Sequence, residues 1–511
     1  MQVEFNVRGF LDRAAVAYPH RVAIVDEPDQ PAEPWAPLTF AELADRARAQ
    51  AAGLDRLGIG PGERIAVVSH NSARLLTSFF GVCGWGRILV PINFRLARAE
   101  VEYILEHSGA SVLLVDPELD EALAGIGPER RFVLGGAADR ELFVPGDEPR
   151  SWAADESATA TINYTSGTTA RPKGVQLTHR NCWVNAAVFG WHTGVSDRDV
   201  YLHTLPMFHA NGWGMPWTTA AMGVTQVALR KVDGPEILRR VERHGVTLLC
   251  AAPAVVNAVL DAAPGWDGPL PGAGTTRIVV AGAPPPSKTI ERIESELGWE
   301  FVQIYGLTET SPLLTVNRTR AEWDDLPADQ RARKLMRAGT PAVGTEIRID
   351  AQGEVLARSN TIMAGYWNQP EESAAALADG WFHTGDGGLV DEEGHLSILD
   401  RKKDVIITGG ENVSSIEVED TIFSMEGVLE VAVIGVPHDK WGEMVLALVV
   451  VEDGSDVTDD AVIAHCRTAL AGYKCPKQVE LRTELPRTAT GKLQKFRLRA
   501  PYWEGKERQV N

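Results

Sequence analysis

Cysteine is scarce in this chain and falls in no useful pattern. Cys83, Cys182, Cys250, Cys466 and Cys475 are scattered over 511 residues, with neither the spacing of a zinc site nor the density of a disulfide framework. They read as core thiols in a reducing compartment. Long apolar runs are missing too. Met444-Val-Leu-Ala-Leu-Val-Val-Val451 has the length of a strand and is far too short for a membrane span. Met1-Gln-Val-Glu-Phe5 has no basic stretch followed by an apolar one, so no secretion signal is expected. The expectation is a cytoplasmic protein without integral membrane association. Positive charge is in deficit: 50 Lys and Arg against 69 Asp and Glu, a formal net charge of −19. That excludes general attraction to nucleic acid or an anionic membrane. It leaves room for a local basic patch around a nucleotide or a phosphorylated thiol cofactor. There are no internal repeats or low-complexity tracts, and nothing sets the oligomeric state.

The chain is too long for one ordinary core, so two or more domains are expected. Val7, Phe10, Leu11, Ala14 and Tyr18 form a helical stripe that Pro19 ends. Thr39-Phe-Ala-Glu42 is a capping box opening a second helix. Strand-like runs at 64–68, 111–115, 199–203, 225–229, 248–251 and 277–281 alternate with helical stretches at crossover spacing, which argues for parallel α/β layers. Residues 318–337 are dense in charge and read as a solvated surface element. Residues 341–399 hold short runs between Gly, Asn and Asp turns, which suggests a strand-rich subdomain. The charged stretch Asp400-Arg-Lys-Lys-Asp404 separates two apolar strands and marks the best domain boundary. Domains are therefore expected at 1–400 and at 401–511, the second an α+β module.

The most informative stretch is Tyr164-Thr-Ser-Gly-Thr-Thr-Ala-Arg-Pro-Lys-Gly174, between two strand-like runs. Its hydroxyls (Thr165, Ser166, Thr168, Thr169), glycines (Gly167, Gly174) and Lys173 suit a loop that wraps phosphate oxygens. It is not a Walker loop, because Lys173 is followed by Gly174. On composition alone, a polar turn between strands fits as well. Elsewhere, Leu205-Pro-Met-Phe-His-Ala-Asn-Gly-Trp-Gly214 reads as a loop with an aromatic lining. Its lone histidine taken alone would be structural.

Taken together these stretches resemble the acyl-adenylate-forming enzymes: acyl- and aryl-CoA synthetases, peptide-synthetase adenylation domains and beetle luciferases. The resemblance covers essentially the whole chain. The phosphate loop departs from the usual pattern at Ala170, where relatives carry Gly. The implied fold is α/β and α+β, with a large N-terminal domain of layered sheets and helices and a small mobile C-terminal cap. The implied chemistry joins a small-molecule carboxylic acid to AMP from ATP, releases pyrophosphate, and passes the acyl group to the thiol of coenzyme A. Loading of a carrier-protein thiol is the main alternative. A noncatalytic nucleotide-binding protein has less support, since Lys173, Glu309 and Lys492 are all present.

Residue roles follow by match. Besides the phosphate loop, Tyr305 stacks on adenine, Thr308 touches phosphate and Glu309 binds Mg²⁺. Asp386 and Arg401 hold the ribose or phosphate, and Lys492 is the adenylation lysine. His209, Trp213, Gly214, Gly282 and Ala283 line the acyl pocket. Ala281 stands where Gly is commoner. The acyl motif has no acidic residue to hold an amino group, which favours an uncharged acyl or aryl tail. The hinge falls at Lys403. Gly409, Gly410, Trp441 and Lys477 lie on the coenzyme A side. The acid itself is not identified.

Overall fold

The computed structural model describes residues 3–165, 171–282, 285–401, 405–408, 411–438, 440–452, 454–487 and 493–504, with Arg401 and Asn412 described by backbone alone. Helix starts are where the side chains dictate. Thr39 caps Phe40–Arg56 with the full reciprocal box to Glu42. Asp233 accepts from Glu236 N at the head of Gly234–His244, and Gly245 closes that helix at φ 62°, a conformation that glycine adopts without a Cβ penalty.

Among the described residues the strands form four sheets, of nine, seven, four and five strands. In the nine-stranded sheet the strands begin, in spatial order, at Thr340, Leu313, Glu300, Arg277, Leu248, Val200, Thr225, Val22 and Leu38. Its centre, from Glu300–Gly306 across to Val22–Val25, is parallel. The seven-stranded sheet runs in the order Gly365, Lys173, Thr159, Ile88, Arg64, Val112, Arg131. Helices bury apolar stripes between these layers; Phe40, Phe79, Phe80 and Trp217 are almost fully enclosed.

Polar groups stitch the two large sheets at their strand ends. Arg230 follows the Thr225–Ala228 strand and Asp116 follows Val112–Val115. They form a two-pronged pair at 2.8 and 3.0 Å, each side chain no more than 4% exposed. Asn71 donates to the carbonyls of His203, Leu205 and Leu229 and accepts from Met207 N.

The strand-rich 341–399 region holds an antiparallel four-stranded sheet of Thr345–Ile349, Glu354–Ser359, Phe382–Val390 and Leu396–Arg401. One short strand leaves it: Gly365–Tyr366 pairs with Lys173–Thr178 in the seven-stranded sheet. The charged 318–337 stretch is more than a solvated surface. Trp323 is buried there, with the cations of Arg320, Lys334 and Arg337 within 5.4 to 5.5 Å of its ring centre. Long cationic side chains cover apolar area with their stems while keeping the charge outside, so charge density hid a buried anchor.

The smaller C-terminal α+β domain packs Ser415–Phe423 and Asp459–Ala469 on one face of its sheet and Lys495–Trp503 on the other. At its base Lys495 pairs with Glu419 at 2.8 Å and lies 3.8 Å from Asp400. Its ammonium also donates to Ser415, which in turn donates to Asp400. Asp420 accepts from the backbone and hydroxyl of Ser287 in the larger domain, at 2.9 and 3.1 Å.

Candidate active site

The phosphate stretch is a hairpin. Thr159–Thr165 and Lys173–Thr178 run antiparallel, with Thr165 opposite Lys173 at the mouth. Ser166, Gly167, Thr168, Thr169 and Ala170 lie outside the described residues. Gly174 is closely packed: a Cβ there would lie 2.9 Å from Ile162 and 3.1 Å from Tyr164, so those side chains would have to shift to admit it.

Two of the expected nucleotide residues meet directly. Tyr305, at the end of Glu300–Gly306, donates its hydroxyl to Asp386 Oδ2 at 2.8 Å. Asp386 is buried in the Phe382–Val390 strand, its backbone opposite Arg401. The chain then turns sharply after Tyr305. A Cβ on Gly306 would lie 1.5 Å from the Pro312 carbonyl oxygen, so the turn that presents Thr308 and Glu309 requires glycine. Thr308 and Glu309 are half-buried in a short 3-10 turn.

One residue here was not singled out from sequence. The Tyr366 hydroxyl donates to Glu309 Oε1 at 3.0 Å, and the Lys173 ammonium lies 4.8 Å from the centre of the same ring. Tyr366 thus joins the phosphate hairpin to the Glu309 turn. Its sequence signal was an aromatic pair after Gly365, in a region otherwise read only as short strands and turns.

The acyl stretch differs from the simple loop expected. Ala210, Asn211, Gly212 and Trp213 hold φ of 37°, 50°, 55° and 53°, followed by Gly214 at 78°. This is a left-handed turn, costing about 1–2 kcal/mol for each residue with a side chain. Surrounding bonds hold it. Asn211 donates to Thr161 Oγ1 at 2.8 Å, and the upstream backbone is tied down by Asn71. Gly214 is needed twice over, since a Cβ would also lie 2.4 Å from Asn185 Nδ2. Trp213 is 3% exposed and joins an apolar cluster with Leu205, Met215, Ala281 and Ile304. His209, half-buried, opens the turn. Gly282 follows Ala281 at φ 100°, and Ala283 lies outside the described residues.

On the C-terminal domain Trp441 stacks on His438 at 4.3 Å. The ammonium groups of Lys440 and Lys477 lie 5.9 and 6.0 Å from its ring centre. Trp441 and Lys477 are therefore brought together, with two neighbours that were not expected. Lys403, Gly409, Gly410 and Lys492 lie outside the described residues.

These side chains suit the expected groups. Among the described residues Glu309 accepts through Oε1, which leaves a hard carboxylate oxygen of the kind Mg²⁺ takes. The Tyr305–Asp386 pair offers an aromatic face and an acceptor for a nucleoside. Trp441 between lysines suits a phosphorylated nucleotide such as coenzyme A. A second group, Asp391, Glu393 and His395, has metal-like spacing. Its carboxylates are taken by Arg337 and Lys334, so it reads as structural.

Fold and site together define an ATP-dependent acyl-activating enzyme. The chain belongs to the AMP-binding enzyme family: residues 11–367 match the AMP-binding enzyme model and 417–492 match its C-terminal domain. It is 38% identical to 4-hydroxybutyrate–CoA ligase 2 of Metallosphaera sedula, over 96% of this chain and 93% of that one. It is also 38% identical to a 2-methylpropanoate–CoA ligase of Humulus lupulus, over 96% and 94%. Among solved structures, ATP-bound MatB from Rhodopseudomonas palustris superposes with a TM-score of 0.85 at 27% identity, covering 99% of this chain and 100% of that one. The apo form of the same protein gives 0.77.

Proposed function

We propose that this enzyme activates a short-chain aliphatic carboxylic acid with ATP and transfers the acyl group to coenzyme A. The observation that carries the activation step is the convergence of Lys173, Tyr366 and Glu309. Tyr305, which pairs with Asp386, stands four residues before Glu309 in the chain. The acid class is supported by Trp213, whose indole fills the apolar cluster behind the left-handed turn. It is supported too by relatives named for 4-hydroxybutyrate and 2-methylpropanoate.

In this reading Asp386 accepts a ribose hydroxyl, and Tyr305 lies against the adenine. Lys173 and Thr165, with Ser166, Gly167, Thr168, Thr169 and Thr308, hold phosphate oxygens. His209 lies beside the substrate carboxylate. A carboxylate oxygen attacks the α-phosphorus, the bond to the β-phosphate breaks, and pyrophosphate leaves. Lys492 stabilises the charge that shifts there. Magnesium ion held at Glu309 would neutralise phosphate charge. The C-terminal domain then turns at Lys403 and brings Gly409, Gly410, Trp441 and Lys477 to coenzyme A. The thiol sulfur bonds to the acyl carbon and AMP leaves with the bonding pair. Closure excludes water that would hydrolyse the adenylate.

A pyrophosphate-release screen over linear, branched and aryl acids, each with and without coenzyme A, tests the proposal. Turnover confined to aryl or long-chain acids would reject the acid class. Thioester formation on a carrier protein but not on coenzyme A would reject the acceptor. Trp213→Ala is expected to move the acid profile toward longer chains while leaving the KM for ATP nearly unchanged, because it removes an apolar wall. Trp213→Leu, which keeps an apolar filler, should move it less. Profiles identical to wild type in both variants would reject Trp213 as a pocket wall.

A further inference from the structure

We infer that Tyr366 is a positioning residue for the activation step, holding Glu309 and Lys173 apart and each in its working pose. The inference rests on the roles proposed for those two residues. A carboxylate and an ammonium that both contact one tyrosine attract each other, and a direct pair would consume both charges. The tyrosine satisfies each differently. Its hydroxyl donates to Glu309 Oε1 at 3.0 Å, a charge-assisted bond that fixes one carboxylate oxygen and leaves the other for a cation. Its ring face receives the Lys173 ammonium at 4.8 Å, an attraction that steadies a cation without neutralising it.

The backbone makes Tyr366 rigid enough for this. Residues 363–367 lace the two elements together. Met363 N donates to the Glu309 carbonyl at 2.8 Å, Ala364 N to Gln176 at 3.0 Å, and Trp367 N to Gly174 at 2.7 Å. Tyr366 lies opposite Val175 in the sheet, and its own N–H donates to Ser373 Oγ at 2.8 Å. The segment therefore crosses from the Glu309 turn to the Lys173 strand, and the side chain follows the same path. A residue that only filled space would need neither the hydroxyl nor the ring face.

The test is equilibrium binding of ATP by calorimetry, with no acid present, at zero and saturating Mg²⁺. Tyr366→Phe keeps the ring and loses the hydroxyl. It is expected to weaken Mg²⁺-dependent ATP binding about ten-fold and to leave Mg²⁺-free binding at the wild-type value. Tyr366→Leu loses both contacts and is expected to weaken binding in both conditions. In a Glu309→Gln background, Tyr366→Phe should cost nothing more, because the two act through one contact. Wild-type binding by Tyr366→Phe in both conditions overturns the inference, as does a loss that simply adds to that of Glu309→Gln. Wild-type protein whose ATP affinity ignores Mg²⁺ would overturn the role of Glu309 and this inference with it.

Discussion

Lys492→Ala is expected to slow acyl-adenylate formation by about two to three orders of magnitude, the cost of removing a cation aimed at developing charge. Thioester formation from supplied acyl-AMP should stay close to wild type. The described residues on either side of Lys492 are tied to one another and to the domain core. Arg487 pairs with Leu493 across its base, Gln494 N donates to the Pro486 carbonyl at 2.8 Å, and Leu493 packs on the Leu446–Leu448–Leu485 cluster. Lys495 then anchors the next turn on Glu419 at 2.8 Å. Burial raises the Glu419 carboxyl above its ordinary range against the pull of Lys495, so this anchor is strongest where Glu419 is ionised. Pyrophosphate release and single-turnover transfer, measured on the same preparation, separate the steps. Equal losses in both, at an unchanged melting temperature, would reject the assignment of Lys492.

Arg230→Met is expected to destabilise the larger domain by about 3–5 kcal/mol, the cost of leaving a buried carboxylate without its partner. The pH dependence should change sign with it. In the wild-type protein burial pulls the Asp116 carboxyl up, but the hydrogen bonds and charge of Arg230 outweigh it and hold the group below its ordinary range. Hydrogen bonding from Arg230 lowers Glu118 as well. Stability from these groups is therefore fully present above the unfolded carboxylate pKa, about 4. It is lost as pH falls through the lowered folded values. Without Arg230, burial dominates at Asp116 and its folded pKa rises. The variant then loses stability as pH climbs through that raised value. The gap between variant and wild type should be widest near neutral pH and narrow toward pH 4 in urea melts. A gap that stays constant across that range would show that Asp116 carries no uncompensated charge.

Where sequence succeeded, the cause and the effect lie close together in the chain. Thr39 caps a helix through Glu42, three residues on. Tyr305 and Asp386 are 81 residues apart; neither string says much alone, and it was the set of motifs along the chain that singled both out. What stayed hidden was long-range and chemically ordinary. The Asp116–Arg230 pair joins residues 114 apart, and neither residue has a local pattern. Tyr366 reaches its place through a two-residue strand that crosses to another sheet, and strands that short carry no periodicity to read. Trp323 was masked by its own cationic cover. The handedness of residues 210–214 was equally invisible, because only the glycines among them advertise it.

That left-handed turn also limits how the proposed acyl pocket can change by mutation. Substrate range in such a pocket would ordinarily drift through small steps at its lining positions. Here positions 210, 211 and 213 admit only residues that tolerate positive φ, so β-branched side chains are barred from them on backbone grounds before any question of fit. Gly212 and Gly214 are closed further by contacts at 3.3 and 2.4 Å. Ala281 and Ile304 have ordinary backbones and belong to the same apolar cluster as Trp213, so variation in acid preference should accumulate there. Val at 281 should be tolerated where Val at 210 is not. The turn behaves as a frozen rim around an adjustable wall, and a library that randomised the rim would return mostly unfolded protein.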